Sequence, residues 1–238
     1  MPTTSSPTST RRSRRHKTWP AAVWLGVSGT LALGAFLAES QASDAARDDI
    51  LYDPGLAFSA GVLYGVLIAI SLLVSLAYPT QMKGLGFRRF RLRWVWMSFA
   101  IVVGTTIVAV AVEPYLHGGE DQGFRADRWE PDHAEAFAAN AFVLVLLGPF
   151  AEELFFRGLG VRVFVRYGGL LAILVTGIVF GLVHGILGAL PPLVLFGIGF
   201  AWVRLRSASI WPSFIGHAAY NGLGLSVLVI SWLVDAPV

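Results

Sequence analysis

Long apolar segments dominate this sequence and limit what the chain can fold into. A transmembrane helix requires roughly 20 mainly apolar residues, and seven segments are candidates, of which the sixth is clearly shorter than this. They are Trp19–Ala38, Leu56–Tyr78, Trp94–Val112, Ala136–Gly158, Gly168–Leu187, Leu190–Val203 and Ile210–Val234. Only 14% of the 238 residues are charged, whereas a soluble domain usually has about 25%. The sequence therefore predicts an all-α, polytopic membrane helical bundle with about seven transmembrane helices.

The charged residues are sorted between the two sides of this predicted bundle. With the N-terminus in the cytoplasm, the cytoplasmic segments carry fourteen basic residues and no acidic one, and the opposite segments carry three basic and thirteen acidic residues. Basic residues concentrate in the cytoplasmic loops of membrane proteins. We therefore expect the N-terminus inside and the C-terminus outside.

Three regions follow from this layout. Residues 1–17, rich in Ser, Thr, Pro and Arg, are predicted to be a disordered basic arm. Residues 18–135 are expected to hold the first three transmembrane helices and acidic extracytoplasmic loops, and residues 136–238 a helical core. The first apolar stretch is longer than the usual core of a signal peptide. We therefore favour a retained anchor over a cleaved signal.

Two glutamates and one arginine lie inside the fourth apolar segment. A charged side chain at mid-bilayer costs from about 2.5 kcal/mol upward and usually marks function. Glu153 and Arg157 are four residues apart and can pair on one face of a helix. Glu152 is rotated about 100° away from Glu153, which leaves it available for chemistry. The alternative is that all three form a charge cluster that only fixes helix packing.

Two further segments carry polar residues at helical spacing. Phe180 and His184 share one face of the fifth segment, and His217 and Asn221 share one face of the seventh. Each pair alone could serve interhelical hydrogen bonding. The chain has no cysteine, which excludes thiolate metal sites and a cysteine nucleophile. The three polar motifs together are therefore the candidate site.

Two kinds of chemistry suit one carboxylate and two imidazoles. Glu152, His184 and His217 could hold a divalent metal such as zinc, with an open position for water. A glutamate–histidine pair could equally activate water without metal, while the second histidine and Asn221 stabilise an oxyanion. Both designs hydrolyse an amide, and the residues leave the choice open.

In order and spacing, the three motifs resemble the signatures of the CPBP intramembrane proteases, the CAAX protease and bacteriocin-processing (Abi) family. These motifs are Glu152-Glu153-x-x-x-Arg157, Phe180-x-x-x-His184 and His217-x-x-x-Asn221, and the resemblance covers about residues 142–227. It implies that Glu152 and His184 activate water and that His217 and Asn221 stabilise the oxyanion. It also implies supporting roles for Glu153, Arg157 and Phe180.

The resemblance implies an intramembrane endopeptidase that acts near the cytoplasmic half of a bacterial cytoplasmic membrane, with residues 136–238 as its catalytic core. Eukaryotic relatives trim prenylated CAAX proteins, and bacterial relatives are linked to bacteriocin immunity, peptide processing or surface-protein anchoring. The expected partners are the lipid bilayer and a peptide or membrane-protein substrate. No nucleotide-binding loop is present, so neither nucleotide nor nucleic acid is expected. Two alternatives remain, namely a non-enzymatic immunity or scaffold protein on the same fold and a small proton-coupled transporter.

The predicted segments place the site residues at different depths. Glu152 lies about 9 Å from the cytoplasmic end of its segment, but His184 lies about 24 Å from the cytoplasmic end of its own. A shared site requires that the fourth helix continues past Gly158 towards Arg166, or that the fifth begins below the membrane surface. We predict one or both.

Overall fold

The computed structural model describes residues 18–41, 50–77, 82–116 and 129–235, which form seven main helices and no β-strand. The helices are α1 (Trp19–Gln41), α2 (Pro54–Ala77), α3 (Arg93–Leu116), α4 (Pro131–Tyr167), α5 (Gly169–Leu182), α6 (Leu190–Ser207) and α7 (Trp211–Asp235). The prediction of an all-α bundle is confirmed. The predicted disordered arm, residues 1–17, lies outside the described residues, as do residues 42–49 and 117–128 of the predicted acidic loops.

The helices differ in length. Within the described ranges, α1, α2, α3, α4 and α7 are long and apolar enough to cross a membrane, so the chain is an integral membrane protein. Helix α5 has only 14 residues and is therefore about 21 Å long. It is shorter than the predicted segment Gly168–Leu187, because the chain turns at Gly185, whose φ is +74°. Helices α5 and α6 form a short hairpin. The orientation of the two termini relative to the membrane stays a prediction.

Helix α4 is unusually long and is not a regular α-helix. It runs for 37 residues and contains two π-helical segments, Val143–Leu147 and Glu153–Gly160. Its continuation to Tyr167 confirms the predicted extension beyond Gly158. Measured from Tyr167, Glu152 lies at a depth of about 22 Å. This is close to the depth of His184 measured from the start of α5, so the mismatch in depth disappears.

Glycines allow the α5–α6 hairpin to pack closely. A methyl group on Gly177 would lie 2.6 Å from the backbone nitrogen of Ile198, and one on Gly181 would lie 2.6 Å from the side chain of Val194. Only glycine fits at such backbone separations, which are typical of small-residue helix contacts in membranes. The hairpin therefore holds the turn with His184 at a fixed distance from the neighbouring helices.

Helix α1 is anchored to α4 by one tryptophan. The side chain of Trp24 is fully buried, and its Nε1–H donates a hydrogen bond of 3.0 Å to the carbonyl of Phe155. Its ring lies against Gly160, where an added methyl group would be 2.8 Å from the indole. This contact packs the first helix against the core of the bundle, and its retention as an anchor stays a prediction.

Helix α7 begins inside the protein. Ile210 is fully buried, and its backbone N–H donates to the carbonyl of Gly86 over 3.1 Å. His217 lies only about 9 Å along α7. Because the helix starts inside the protein, this short distance is enough to bring His217 to the glutamates in the middle of α4.

Candidate active site

The first part of the site is a buried ion pair on α4. Arg157 Nη1 lies 3.0 Å from Glu153 Oε1, and both side chains are completely inaccessible to solvent. The guanidinium also stacks on the ring of Phe180, with 4.2 Å between Cζ and the ring centroid, and such cation–π contacts stabilise a desolvated cation. The predicted pairing of Glu153 with Arg157 is confirmed, although the segment is π-helical.

His217 connects the two glutamates. Its Nδ1 lies 3.1 Å from Glu153 Oε1, which is a hydrogen bond, and its Nε2 lies 3.8 Å from Glu152 Oε2. Because the two nitrogens stand on opposite edges of the imidazole, a single ring reaches both neighbouring carboxylates. The ring is held edge-on to Phe196, with centroids 4.9 Å apart, so its orientation is determined by packing as well as by the carboxylates.

His184 lies just beyond the end of α5. Its Nδ1 is 2.7 Å from the carbonyl oxygen of Phe180, and only a protonated Nδ1 can donate to a carbonyl. When the ring is neutral, this hydrogen bond leaves Nε2 as its basic nitrogen. The imidazole also packs on the ring of Phe180, with 4.8 Å between the ring centroids. Phe180 therefore positions His184 through both its backbone carbonyl and its side chain.

Asn221 is held by the first π-helical segment of α4. Its Nδ2 donates a hydrogen bond of 2.8 Å to the carbonyl of Leu144. A side-chain amide carries two N–H donors, and one of them remains for a ligand. The π-helical turn is therefore bound directly to the α7 face that also carries His217.

All four predicted catalytic residues line one cavity of about 550 Å³. They are Glu152, His184, His217 and Asn221. The predicted supporting residues Glu153, Arg157 and Phe180 lie behind the cavity wall and are almost completely buried. The remaining wall is mostly apolar and is formed by α2, α3, α4, α6, α7 and the turn between α5 and α6. The arrangement is a largely apolar chamber with one polar corner.

Tyr64 on α2 belongs to this polar corner, and sequence reasoning missed it. Its hydroxyl lies against the Glu152 carboxylate, in position to donate a hydrogen bond, and it lines the same cavity. Gly148 gives it room, since an added methyl group there would lie 2.9 Å from the Tyr64 hydroxyl oxygen. The one available signal was a hydroxyl-bearing aromatic residue in the middle of an otherwise apolar segment.

The same residues were predicted to be the ligands of a possible metal ion. No group of three His, Asp or Glu side chains in the described part of the chain is placed to hold a metal ion. His217 Nδ1 is hydrogen-bonded to Glu153, and His184 Nδ1 is hydrogen-bonded to a backbone carbonyl. These two hydrogen bonds leave the Nε2 atoms of both rings for the cavity, as a metal site or a metal-free site would require, so the predicted metal set of Glu152, His184 and His217 meets at one cavity and metal use stays a prediction.

Together, these features define a helical membrane protein in which ionisable side chains from α4, from α7 and from the turn after α5 meet at one cavity. Residues 134–223 match the family model of type II CAAX prenyl endopeptidase Rce1-like proteins. The three motifs all lie inside this segment, and the predicted resemblance is confirmed. No curated protein and no solved structure matches the chain significantly.

Proposed function

We propose that this protein is an intramembrane endopeptidase that hydrolyses a peptide bond with water activated by Glu152 and His184. The observation that carries the proposal is the convergence of Glu152, His184, His217 and Asn221 on one cavity, inside the segment that matches a family of endopeptidases. Cleavage in the cytoplasmic half of a bacterial membrane is part of the proposal and depends on the predicted orientation.

The reaction begins with a water molecule held between the Glu152 carboxylate and Nε2 of His184. Glu152 accepts a proton from the water as its oxygen attacks the carbonyl carbon of the peptide. The same proton then passes to the departing amine nitrogen. The Tyr64 hydroxyl, which lies against Glu152, holds the carboxylate in one orientation through these transfers.

The developing oxyanion is stabilised by donors on α7. His217 donates from Nε2 when both ring nitrogens carry protons, and Glu153, hydrogen-bonded to Nδ1, then supplies the balancing negative charge. Asn221 contributes the N–H that is not bound to Leu144. Removing one such donor in other hydrolases costs about 2.7–4 kcal/mol of transition-state stabilisation.

We propose the metal-free design, supported by the absence of a grouped set of three possible ligands among the described residues. The test is elemental analysis of the purified protein together with its activity after chelation. We expect full activity with far less than one metal ion per chain. Activity that chelation removes and zinc restores would instead support the metal design.

Peptide hydrolysis itself is tested by mass spectrometry of membrane peptides from cells that contain either the native chain or Glu152→Gln. We expect new peptide ends with the native chain and a loss of about 10²- to 10⁴-fold in the variant. Glu135→Gln, which changes an exposed residue of α4, is the matched control and should keep the cleavage. Full biological activity of Glu152→Gln without any cleaved peptide would favour the scaffold alternative.

A further inference from the structure

Three arginines from separate elements cluster at the end of the bundle where α4 and α6 terminate. Arg162 lies near the end of α4, Arg204 near the end of α6, and Arg88 in the segment before α3. Arg204 is buried, with only 8% of its surface exposed, and its charged neighbours are Arg88 and Arg162. Three positive charges are thus held together at the same place.

A loop with two glycines is shaped around the guanidinium groups of Arg162 and Arg204. Arg204 Nη2 donates a hydrogen bond of 3.0 Å to the carbonyl of Gly84. An added methyl group on Gly84 would overlap the guanidinium of Arg162, and one on Gly86 would lie 2.7 Å from Arg204 Nε. Gly86 also has a φ of +97°, a conformation that favours glycine. The cluster is therefore a built feature of the fold.

The elements around the cluster bring no negative charge of their own. The sequence has no Asp or Glu in residues 1–38, 54–112 or 154–234, which include every element at this end of the bundle. The buried Nε of Arg204 has no hydrogen-bond partner among the described residues. A buried charge is costly unless it is paired. The end of the bundle around Arg204 therefore carries a net positive charge that an anion from outside the chain can neutralise.

The surroundings of the cluster are those of a membrane interface. Tyr167, Leu92 and Trp96 lie at the same end of the bundle and are 50%, 65% and 66% exposed. Exposed aromatic side chains are typical of the level of the lipid head groups, and basic pockets between helices bind anionic head groups there. We propose that Arg162, Arg204 and Arg88 form a binding site for a phosphate group, occupied by an anionic phospholipid.

Occupation of this site would stabilise the base of α7. The carbonyl of Gly84 accepts from Arg204, and the carbonyl of Gly86 accepts from Ile210, directly before α7 begins. A phosphate that neutralises the arginines would hold this loop in place and with it the start of the helix that carries His217. The proposal is independent of peptidase activity.

The test uses the full-length protein purified in neutral detergent, with phosphatidylglycerol, phosphatidylcholine of the same acyl chains, or inorganic phosphate added. Thermal unfolding and native mass spectrometry measure binding. We expect phosphatidylglycerol alone to raise the Tm, by about 2–4 °C, and to remain bound. Arg162→Gln and Arg204→Gln should each weaken its retention about tenfold, since each removes a charged hydrogen-bond donor. Arg91→Gln, at an exposed position, should not.

The comparison between lipids separates binding from folding. If Arg204→Gln fails to fold, Arg162→Gln decides, because the Arg204 bond to the loop is then intact. Equal weakening in Arg91→Gln, or no weakening in the cluster variants, would overturn the proposal. An equal Tm rise with inorganic phosphate would support the phosphate site and overturn its assignment to lipid.

Discussion

Two adjacent glutamates have different environments at the level of single residues. Glu153 is completely buried and is bound to both Arg157 and His217, whereas 17% of the Glu152 side chain is exposed at the cavity. The helical spacing predicted this division, because Arg157 can pair with only one of the two. The spacing could not show that a ring from α7 reaches both carboxylates, since that contact depends on how two distant helices pack.

Replacement of Tyr64 by phenylalanine tests the one site residue that lies outside the motifs. Tyr64→Phe retains the ring beside Gly148 but removes the hydroxyl at Glu152. We expect kcat to fall by about tenfold with little change in KM, because a single hydrogen bond to a charged group contributes about 1.5–3 kcal/mol. Steady-state kinetics on a cleaved peptide measures both constants.

The matched control for this substitution is Tyr115→Phe, which changes an 81% exposed tyrosine on α3. It should leave kcat and KM unchanged. An unchanged kcat in Tyr64→Phe, with Tm as in the native chain, would remove Tyr64 from the machinery of the site.

Among the elements, α4 and α5 depart most from the regular helices predicted. The apolar length of the segments indicated where helices lie, but the sequence from Val183 to Leu187 contains no Asp, Glu, Lys or Arg and is still mainly apolar. Apolar length therefore could not reveal that α5 ends at Leu182. The π-helical segments of α4 were equally hidden, because they are maintained by contacts with other helices, such as the Asn221 amide on Leu144.

The glycine contact between α5 and α6 makes a prediction about stability. Gly177→Ala would bring a methyl group to 2.6 Å from the backbone of Ile198, which cannot move aside without separating the hairpin. We expect destabilisation of about 1–3 kcal/mol, measured as a lower Tm in detergent. Gly104→Ala on α3, where nothing lies within 4 Å, should be neutral or slightly stabilising. Equal Tm values for the two variants would contradict the close packing.

For the molecule as a whole, the sorting of charges predicts the orientation in the membrane. The chain contains no cysteine, so single cysteines can be introduced and labelled without background. In intact cells, a membrane-impermeant maleimide should label Ala236→Cys but should label Ser6→Cys only after the membrane is opened. The reverse labelling pattern would mean that the N-terminus lies outside the cytoplasm. The depth of the site would then have to be measured from the extracytoplasmic surface.

For the whole molecule, the sequence predicted the helical bundle and four of the side chains that line the cavity. It did not predict the contributions of α1 and α2 to the surroundings of these side chains. The motifs lie on α4, on α5 with the turn that follows it, and on α7, and their spacing identifies the faces that must meet. Tyr64 and Trp24 come from helices without a motif, and their contacts with Glu152 and Phe155 arise only when α1 and α2 pack on α4. Long-range packing of this kind leaves no local pattern in the sequence.

The most direct test of the account is hydrolysis by the purified protein in buffer made with ¹⁸O-labelled water, followed by mass spectrometry of the fragments. If water activated at Glu152 cleaves the peptide bond, each new carboxyl end formed by the native chain carries one ¹⁸O atom, and Glu152→Gln forms almost none of these fragments. Fragments without ¹⁸O, or cleavage by Glu152→Gln at the rate of the native chain, would contradict it.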